Sequence, residues 1–269
     1  MKSVKNLFDL TGRVAIVTGG AGQLGFAMSQ SLAELGANVV IASRNVENCC
    51  EKAALLSKDN PEAVGMQLDI TDEQAIRKLT SQVMDRFGKV DILVNNAITG
   101  TRGGVGVEDM ALEDWELSMR GGLTSVFQCS QIIGAEMVKR QSGVIVNIGS
   151  IYGIVAADQG IYGDSGINSP PNYAAVKGGA VQLTRYFATY WAKHSIRVNM
   201  ITPGGFYSEK LKKEREDYGT FLKNYCRKTP LGRMANPEDI KGAIAYLASD
   251  ASIYVTGANL VLDGGFTVW

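Results

Sequence analysis

The sequence predicts an α/β fold: a Rossmann-type, doubly wound parallel sheet of about seven strands with helices on both faces. Three observations carry this expectation. Short runs rich in β-branched residues alternate with longer segments of helical spacing along the whole chain, the pattern of a parallel sheet covered on both sides. The first such run ends directly in a glycine cluster, Gly19-Gly20-Ala21-Gly22-Gln23-Leu24-Gly25. No composition break, repeat or linker divides the chain, so residues 1–269 read as one domain.

The elements follow in order. Arg13–Thr18 is a buried strand, and Phe26–Leu35 is a helix closed by Gly36. Asn38–Ala42 is the second strand. Strand, glycine turn, helix and strand make the first half of a dinucleotide-binding unit. Its glycines allow close approach of a pyrophosphate, and the helix start offers free N–H groups and the positive end of its dipole. A polar helix over Val46–Ser57 leads to a strand over Ala63–Leu68. A helix over Asp72–Phe87, stopped by Gly88, leads to a fourth strand, Asp91–Asn95. Residues 100–106 are a glycine-rich loop. A long helix covers Leu112–Arg140, with Gly121-Gly122 marking a kink or a close contact. Gly143–Ser150 is a fifth strand and turn. Residues 151–172 form a long loop, Tyr173–Lys193 a helix and Ile196–Ile201 the sixth strand. Ser208–Lys228 contains helical pieces, Pro237–Ser249 is a helix and Asn259–Asp263 is the last strand.

Composition narrows the function. Lysine plus arginine equals aspartate plus glutamate at 27 each, so the chain lacks the charge bias of a nucleic-acid or membrane-surface binder. No stretch approaches the roughly 18 apolar residues of a membrane span, and residues 1–13 carry no signal-like apolar run. Cys49, Cys50, Cys129 and Cys226 form no CxxC pair, which suits reduced thiols and a cytoplasmic setting. The single histidine, His194, excludes a histidine-based triad, and no metal site is expected.

The chemistry concentrates in Tyr173-Ala174-Ala175-Val176-Lys177. Tyrosine and lysine four apart share a helix face. An ammonium there favours the phenolate and lowers the tyrosine pKa, giving an acid/base that moves a proton near neutral pH. Ser150, at a strand end, can polarise the oxygen that gains or loses that proton.

Together these residues resemble the short-chain dehydrogenase/reductase family. The resemblance spans nearly the whole chain and rests on Thr18-Gly19 through Gly25, Asp69, Asn95-Asn96-Ala97, Ser150, Tyr173 with Lys177, Pro203-Gly204 and Asp263-Gly264-Gly265, all in family order. It implies hydride transfer between a nicotinamide and a secondary alcohol or ketone. Tyr173 would be the acid/base, Lys177 the ribose ligand that lowers its pKa, and Ser150 the group that positions the substrate oxygen. The cofactor would lie against Gly19, Gly22, Gln23, Leu24, Gly25, Ser43, Arg44, Asp69, Ile70, Asn96, Ala97, Tyr173, Lys177, Pro203 and Gly204. Many members carry an acid where Ser43 stands; serine followed by Arg44 favours NADP over NAD, because a guanidinium pairs with a phosphate through two parallel bonds.

The chain departs from the family at several places. Gln23 replaces a glycine, Ile98 follows Asn96-Ala97 where the family has glycine, and Gly122 replaces an asparagine of the proton relay. The family's serine-to-tyrosine gap is about a dozen residues, whereas Ser150 and Tyr173 are 23 apart, an insertion of about ten. Tyr152 and Tyr162 lie in the insert but lack a lysine four residues on: Ala156 and Gly166 stand there. Residues 206–230 correspond to a substrate lid. Its Lys210, Lys212, Lys213, Arg215, Lys223, Arg227 and Lys228 outnumber Glu209, Glu214, Glu216 and Asp217, an excess that can attract an anionic substrate. The insert's Asp158, Gln159, Tyr162, Asp164 and Asn168 suit a sugar or polyol, and this region resembles gluconate-dehydrogenase-like members. The alternatives are a ketoacyl-carrier-protein reductase and a cofactor-binding protein with little catalysis. The resemblance also implies a homotetramer or homodimer, with the apolar Phe266–Trp269 at an interface.

Overall fold

A computed structural model of the chain describes residues 1–57, 62–100, 104–165, 167–214 and 218–269. Seven strands, β1 (Val14–Thr18), β2 (Asn38–Ser43), β3 (Ala63–Gln67), β4 (Ile92–Asn95), β5 (Gly143–Ile148), β6 (Ile196–Pro203) and β7 (Asn259–Leu262), form one sheet in the order β3-β2-β1-β4-β5-β6-β7. Every pairing is parallel. All five residues of β1 are buried, as a central strand covered on both faces requires. Ala15 and Val17 pack to one side, against α2 (Gln23–Glu34), α3 (Val46–Leu56) and α10 (Lys241–Ala248). Val14 and Ile16 pack to the other, against α4 (Glu73–Phe87), α6 (Ser125–Arg140) and α7 (Pro171–Trp191). The order reverses between β1 and β4, and there the crevice outside the strand ends opens.

Several boundaries differ from expectation. Helix α2 starts at Gln23 because Gly22 serves as its N-cap; the glycine cluster hides that first turn from a periodicity reading. Helix α7 begins at Pro171, with proline in its first turn, where a missing N–H costs nothing. Strand β6 continues to Pro203. The last helix opens as a 3₁₀ turn over Pro237–Ile240.

The expected long helix runs from Leu112 to Arg140 and carries a π-turn at its glycine pair. Helix α5 (Leu112–Ser118) passes through a π-turn, Met119–Thr124, into α6. A Cβ on Gly121 would overlap Thr99, and one on Gly122 would overlap the Val176 side chain on α7. Close backbone approach explains both glycines. The remaining elements are α1 (Val4–Leu7), and α8 (Glu209–Glu214) with α9 (Tyr218–Lys228) in the lid region. Of the residues singled out above, Gly166, Arg215, Glu216, Asp217 and the 101–103 part of the glycine-rich loop lie outside the described residues.

Buried polar pairs fix the helix that carries the tyrosine. Asn95 on β4 donates to Asn147 on β5 at 2.8 Å, and Asn147 donates to Thr184 on α7 at 2.9 Å. Asn172 donates to Ser118 on α5 at 2.7 Å. Such buried, satisfied groups incur an uncompensated desolvation penalty if displaced, so they hold α7 in one register against the sheet.

Candidate active site

The glycine turn is built by sterics and one hydroxyl. Gly19 has φ +64°, and a Cβ there would press on Asn96 and Ala97; a Cβ on Gly25 would overlap the Gly19 carbonyl. The Thr18 hydroxyl accepts from the N–H groups of Asn96 (3.0 Å) and Ala97 (3.1 Å), and the Asn96 amide donates to the carbonyls of Thr18 (3.0 Å) and Gly19 (3.2 Å). Asn96 thus welds the end of β4 to the turn after β1. Helix α2 has no side-chain cap, so its first N–H groups stay free at the cavity, the arrangement that receives a phosphate.

Two cavities lie along this edge. An outer one of about 280 Å³ is lined by Gly19, Ser43, Arg44, Asp69, Ile70, Asn96 and Ala97. An inner one of about 350 Å³ is lined by Gly22, Gln23, Leu24, Gly25, Ser150, Tyr173, Lys177, Pro203 and Gly204, with Asn96 shared. Every residue expected at a cofactor or catalytic position therefore lies on one cavity or the other. The inner wall also contains Phe206 and Ile98; sequence reading noted Ile98 only as a departure and missed Phe206. The glycines a Cβ would fill and the uncapped helix start fit a dinucleotide.

In the outer cavity Asp69 accepts from the N–H (2.9 Å) and hydroxyl (2.7 Å) of Thr71. These bonds hold its carboxyl below the usual range, with Arg44 adding to the effect. The Ser43 hydroxyl sits 2.9 Å from the Cys49 sulfur. No carboxylate occupies the place of Ser43 to repel a 2′-phosphate.

The inner cavity corrects one expectation. The Tyr173 hydroxyl is raised, not lowered: burial dominates, and hydrogen bonding to Ser150 only partly opposes it. The Lys177 ammonium lies 5.8 Å from the Tyr173 ring centre and donates to the Ile148 carbonyl at 2.8 Å. Its own pKa is pushed down to about 8 by burial. Taking both groups out of water disfavours both charged forms, and the direction at Tyr173 is set by burial, Ser150 and Tyr162 rather than by Lys177. Gln23 lines this cavity and has a second contact. Its side-chain amide donates to the Tyr207 carbonyl at 2.7 Å, tying the glycine turn to the segment that follows β6.

A third cavity, of about 510 Å³, shares Tyr173 with the inner one. Tyr152, Tyr162, Asn168, Leu211, Tyr218 and Phe221 are among its walls. Tyr152 and Tyr162 are both raised, chiefly by burial, which suits neither as a base. Helix α9 packs on the insert through Tyr162 and Phe221, stacked at 5.3 Å. The sequence reading missed Leu211, Tyr218 and Phe221 because it weighed the charges of this segment. The signal was there: Tyr218, Phe221, Leu222 and Tyr225 recur at helical spacing.

The basic excess of the lid does not face this cavity among the described residues. Lys228 pairs with Asp158 of the insert, and Lys212 lies over the Tyr207 ring at 5.9 Å. The insert's own polar groups are mostly spent on its loop. Asp158 accepts from the Gly160 N–H, and Gln159 bonds both ways to the Ser169 backbone. Asn168 donates to the Val105 carbonyl and accepts from the Gly104 N–H, while Asp164 is exposed. His194 sits beside Gln141, 2.9 Å from its amide and outside all three cavities.

Comparison with known proteins agrees with this geometry. A family model described as enoyl-(acyl carrier protein) reductase matches residues 19–267. The chain is 34% identical to a D-threitol dehydrogenase of Mycolicibacterium smegmatis over 97% of its own length and 95% of the relative's. It is 35% identical to a 3-oxoacyl-[acyl-carrier-protein] reductase of Thermotoga maritima, over 96% and 99%. A crystal structure of a gluconate 5-dehydrogenase from Burkholderia cenocepacia, in complex with NADP and tartrate, superposes with a TM-score of 0.89 at 31% identity, covering 99% of this chain and 100% of that one. Matches of this extent, on a chain whose glycine turn, serine, tyrosine and lysine converge on one crevice, establish that it belongs to the short-chain dehydrogenase/reductase family.

Proposed function

We propose that this chain transfers hydride between NADP(H) and a secondary alcohol or ketone of the sugar or polyol class. The observation that carries the reading is the inner cavity, where Ser150, Tyr173 and Lys177 meet the uncapped start of α2. A nicotinamide bound there supplies the hydride donor or acceptor. The glycine turn, Asp69, Ile70, Asn96, Ala97, Pro203 and Gly204 hold the dinucleotide, and Ser43 with Arg44 favour its 2′-phosphorylated form over NAD. Tyr173, protonated at neutral pH, gives its proton to the nascent alkoxide in reduction and takes one from the alcohol in oxidation. Ser150 orients the reacting oxygen. Lys177 binds the ribose and, as an ammonium, favours loss of the Tyr173 proton. The threitol and gluconate dehydrogenases among the relatives support the substrate class.

The substrate is a small molecule, and a homotetramer or homodimer in the cytoplasm is part of the same reading. Four free thiols and the exposed Val268 and Trp269 support it, although Phe266 is already buried within the chain against Tyr225. No described helix is long and apolar enough to cross a membrane. A second reading, reduction of a ketoacyl group on a carrier protein, is favoured by the matched family description and by the Thermotoga relative. A third, cofactor binding with little catalysis, rests on Gly122. The deciding experiment is Tyr173→Phe. It is expected to keep NADPH binding, read by fluorescence titration, within about threefold and to lower turnover by at least about 10²-fold. Unchanged turnover removes Tyr173 from the mechanism.

A further inference from the structure

At the outer cavity a buried thiol meets the serine that would face the ribose 2′-position. Ser43, the last residue of β2, lines the cavity. Cys49, one turn into α3, has its sulfur 2.9 Å from the Ser43 hydroxyl oxygen. Cys49 is fully buried, in the same core cluster as Val39, Ile41 and Ala53. The contact joins the end of β2 to the helix behind it, so the state of the thiol bears on the serine.

The count of protons and lone pairs sets the direction of the bond. Among the described residues the Ser43 oxygen is the only hydrogen-bond partner of the Cys49 sulfur. Burial pushes the Cys49 thiol up, so it keeps its proton at neutral pH. Ser43 has one proton and two lone pairs, whereas sulfur is a weak acceptor. The pair is therefore best satisfied with the S–H donating to Oγ. The serine's own proton has the Asn45 carbonyl, at a long 3.4 Å, and that carbonyl already accepts the Cys49 N–H at 3.2 Å. A proton held so weakly passes readily to a stronger acceptor in the cavity. A 2′-phosphate is such an acceptor, because its bonds are charge-assisted. The reverse arrangement, with serine donating to sulfur, would offer a nucleotide only lone pairs. Those suit the 2′-hydroxyl of an unphosphorylated ribose.

Resting on the NADP(H) reading above, we infer that Cys49 is a positioning residue for cofactor choice: its thiol donates to Ser43 and leaves the serine proton free for the 2′-phosphate. Arg44 supplies the charge at that phosphate, and Ser43 adds a neutral donor. Cys49 acts only through Ser43.

The test is fluorescence titration of the intact protein with NADPH and with NADH, in wild type, Cys49→Ala and Cys49→Ser. The wild type is expected to bind NADPH more tightly. Cys49→Ala is expected to weaken NADPH binding about 3- to 10-fold, the worth of one neutral hydrogen bond, with NADH binding changed less than about twofold. Cys49→Ser restores a donor to Oγ and is expected to keep the wild-type ratio of the two affinities within about twofold. A merely structural role, the gap left by alanine, lowers thermal stability and moves both affinities together. An unchanged ratio in Cys49→Ala overturns the inference and leaves the NADP(H) reading standing. A ratio that rises towards NADPH also overturns it, because serine would then have been donating to sulfur. Loss of the ratio in Cys49→Ser as well overturns it, because the donor would then not matter. A wild type that favours NADH overturns the NADP(H) reading and this inference with it.

Discussion

Lys177 is a buried cation whose site costs the fold stability, and Lys177→Met measures the cost. The side chain is buried, and its Nζ has the Ile148 carbonyl at 2.8 Å. Burial takes its pKa from the ordinary 10.5 to about 8. At about 1.4 kcal/mol per tenfold change in proton affinity, that is a penalty of about 3 kcal/mol on the folded state. The sign follows from linkage. Below pH 8 both states are protonated and the full penalty applies. Between pH 8 and 10.5 the unfolded chain keeps a proton that the folded one has lost, so stability rises with pH. Above 10.5 both are neutral and the penalty is gone. Methionine keeps the apolar stem and removes the charge, but it leaves the Ile148 carbonyl without its donor, at about 1–3 kcal/mol.

The variant should therefore match the wild type or exceed it by up to about 2 kcal/mol at pH 7, and be less stable by about 1–3 kcal/mol near pH 10.5. Urea unfolding of both proteins at matched concentration, without cofactor, from pH 7 to 10.5 gives this difference directly. Other titrating groups are common to both proteins and cancel. A stability difference independent of pH refutes the argument, because it would mean that Lys177 is solvated enough to keep its ordinary proton affinity.

The other expectations are narrower. Arg44→Ala should weaken NADPH binding at least about tenfold more than NADH binding, the worth of one charge-assisted phosphate contact; equal losses in a fluorescence titration defeat the NADP assignment. Gln23→Gly removes the bond to the Tyr207 carbonyl, so amide exchange over residues 206–209 should quicken while the β1 and β4 amides stay protected; unchanged exchange refutes the tether. Gly122→Asn should destabilise the chain by about 1–3 kcal/mol by overpacking, because Val176 occupies the space its Cβ needs. Adding Val176→Ala should recover most of that loss in thermal melts, and no recovery places the strain elsewhere.

Local chemistry made much of this protein legible in its sequence. Strand β1, the glycine turn and α2 are adjacent in the chain, and Tyr173 and Lys177 are one helical turn apart, so spacing alone put each group on one face. Alternation of strand and helix implied the parallel sheet, because a parallel connection needs a crossover long enough to hold a helix. The limits were those of local reading. The start of α2 was hidden in glycines, and the π-turn between α5 and α6 lies where Gly121 and Gly122 pack closely on Thr99 and Val176. What only the tertiary structure decided is the environment of Tyr173 and Lys177. Burial from every side raises Tyr173 and depresses Lys177, and no pattern four residues long encodes that. Leu211, Tyr218 and Phe221 reach the cavity beside Tyr173 from a segment far along the chain, while Lys212 and Lys213 are exposed, because only folding determines which face of a charged helix meets solvent.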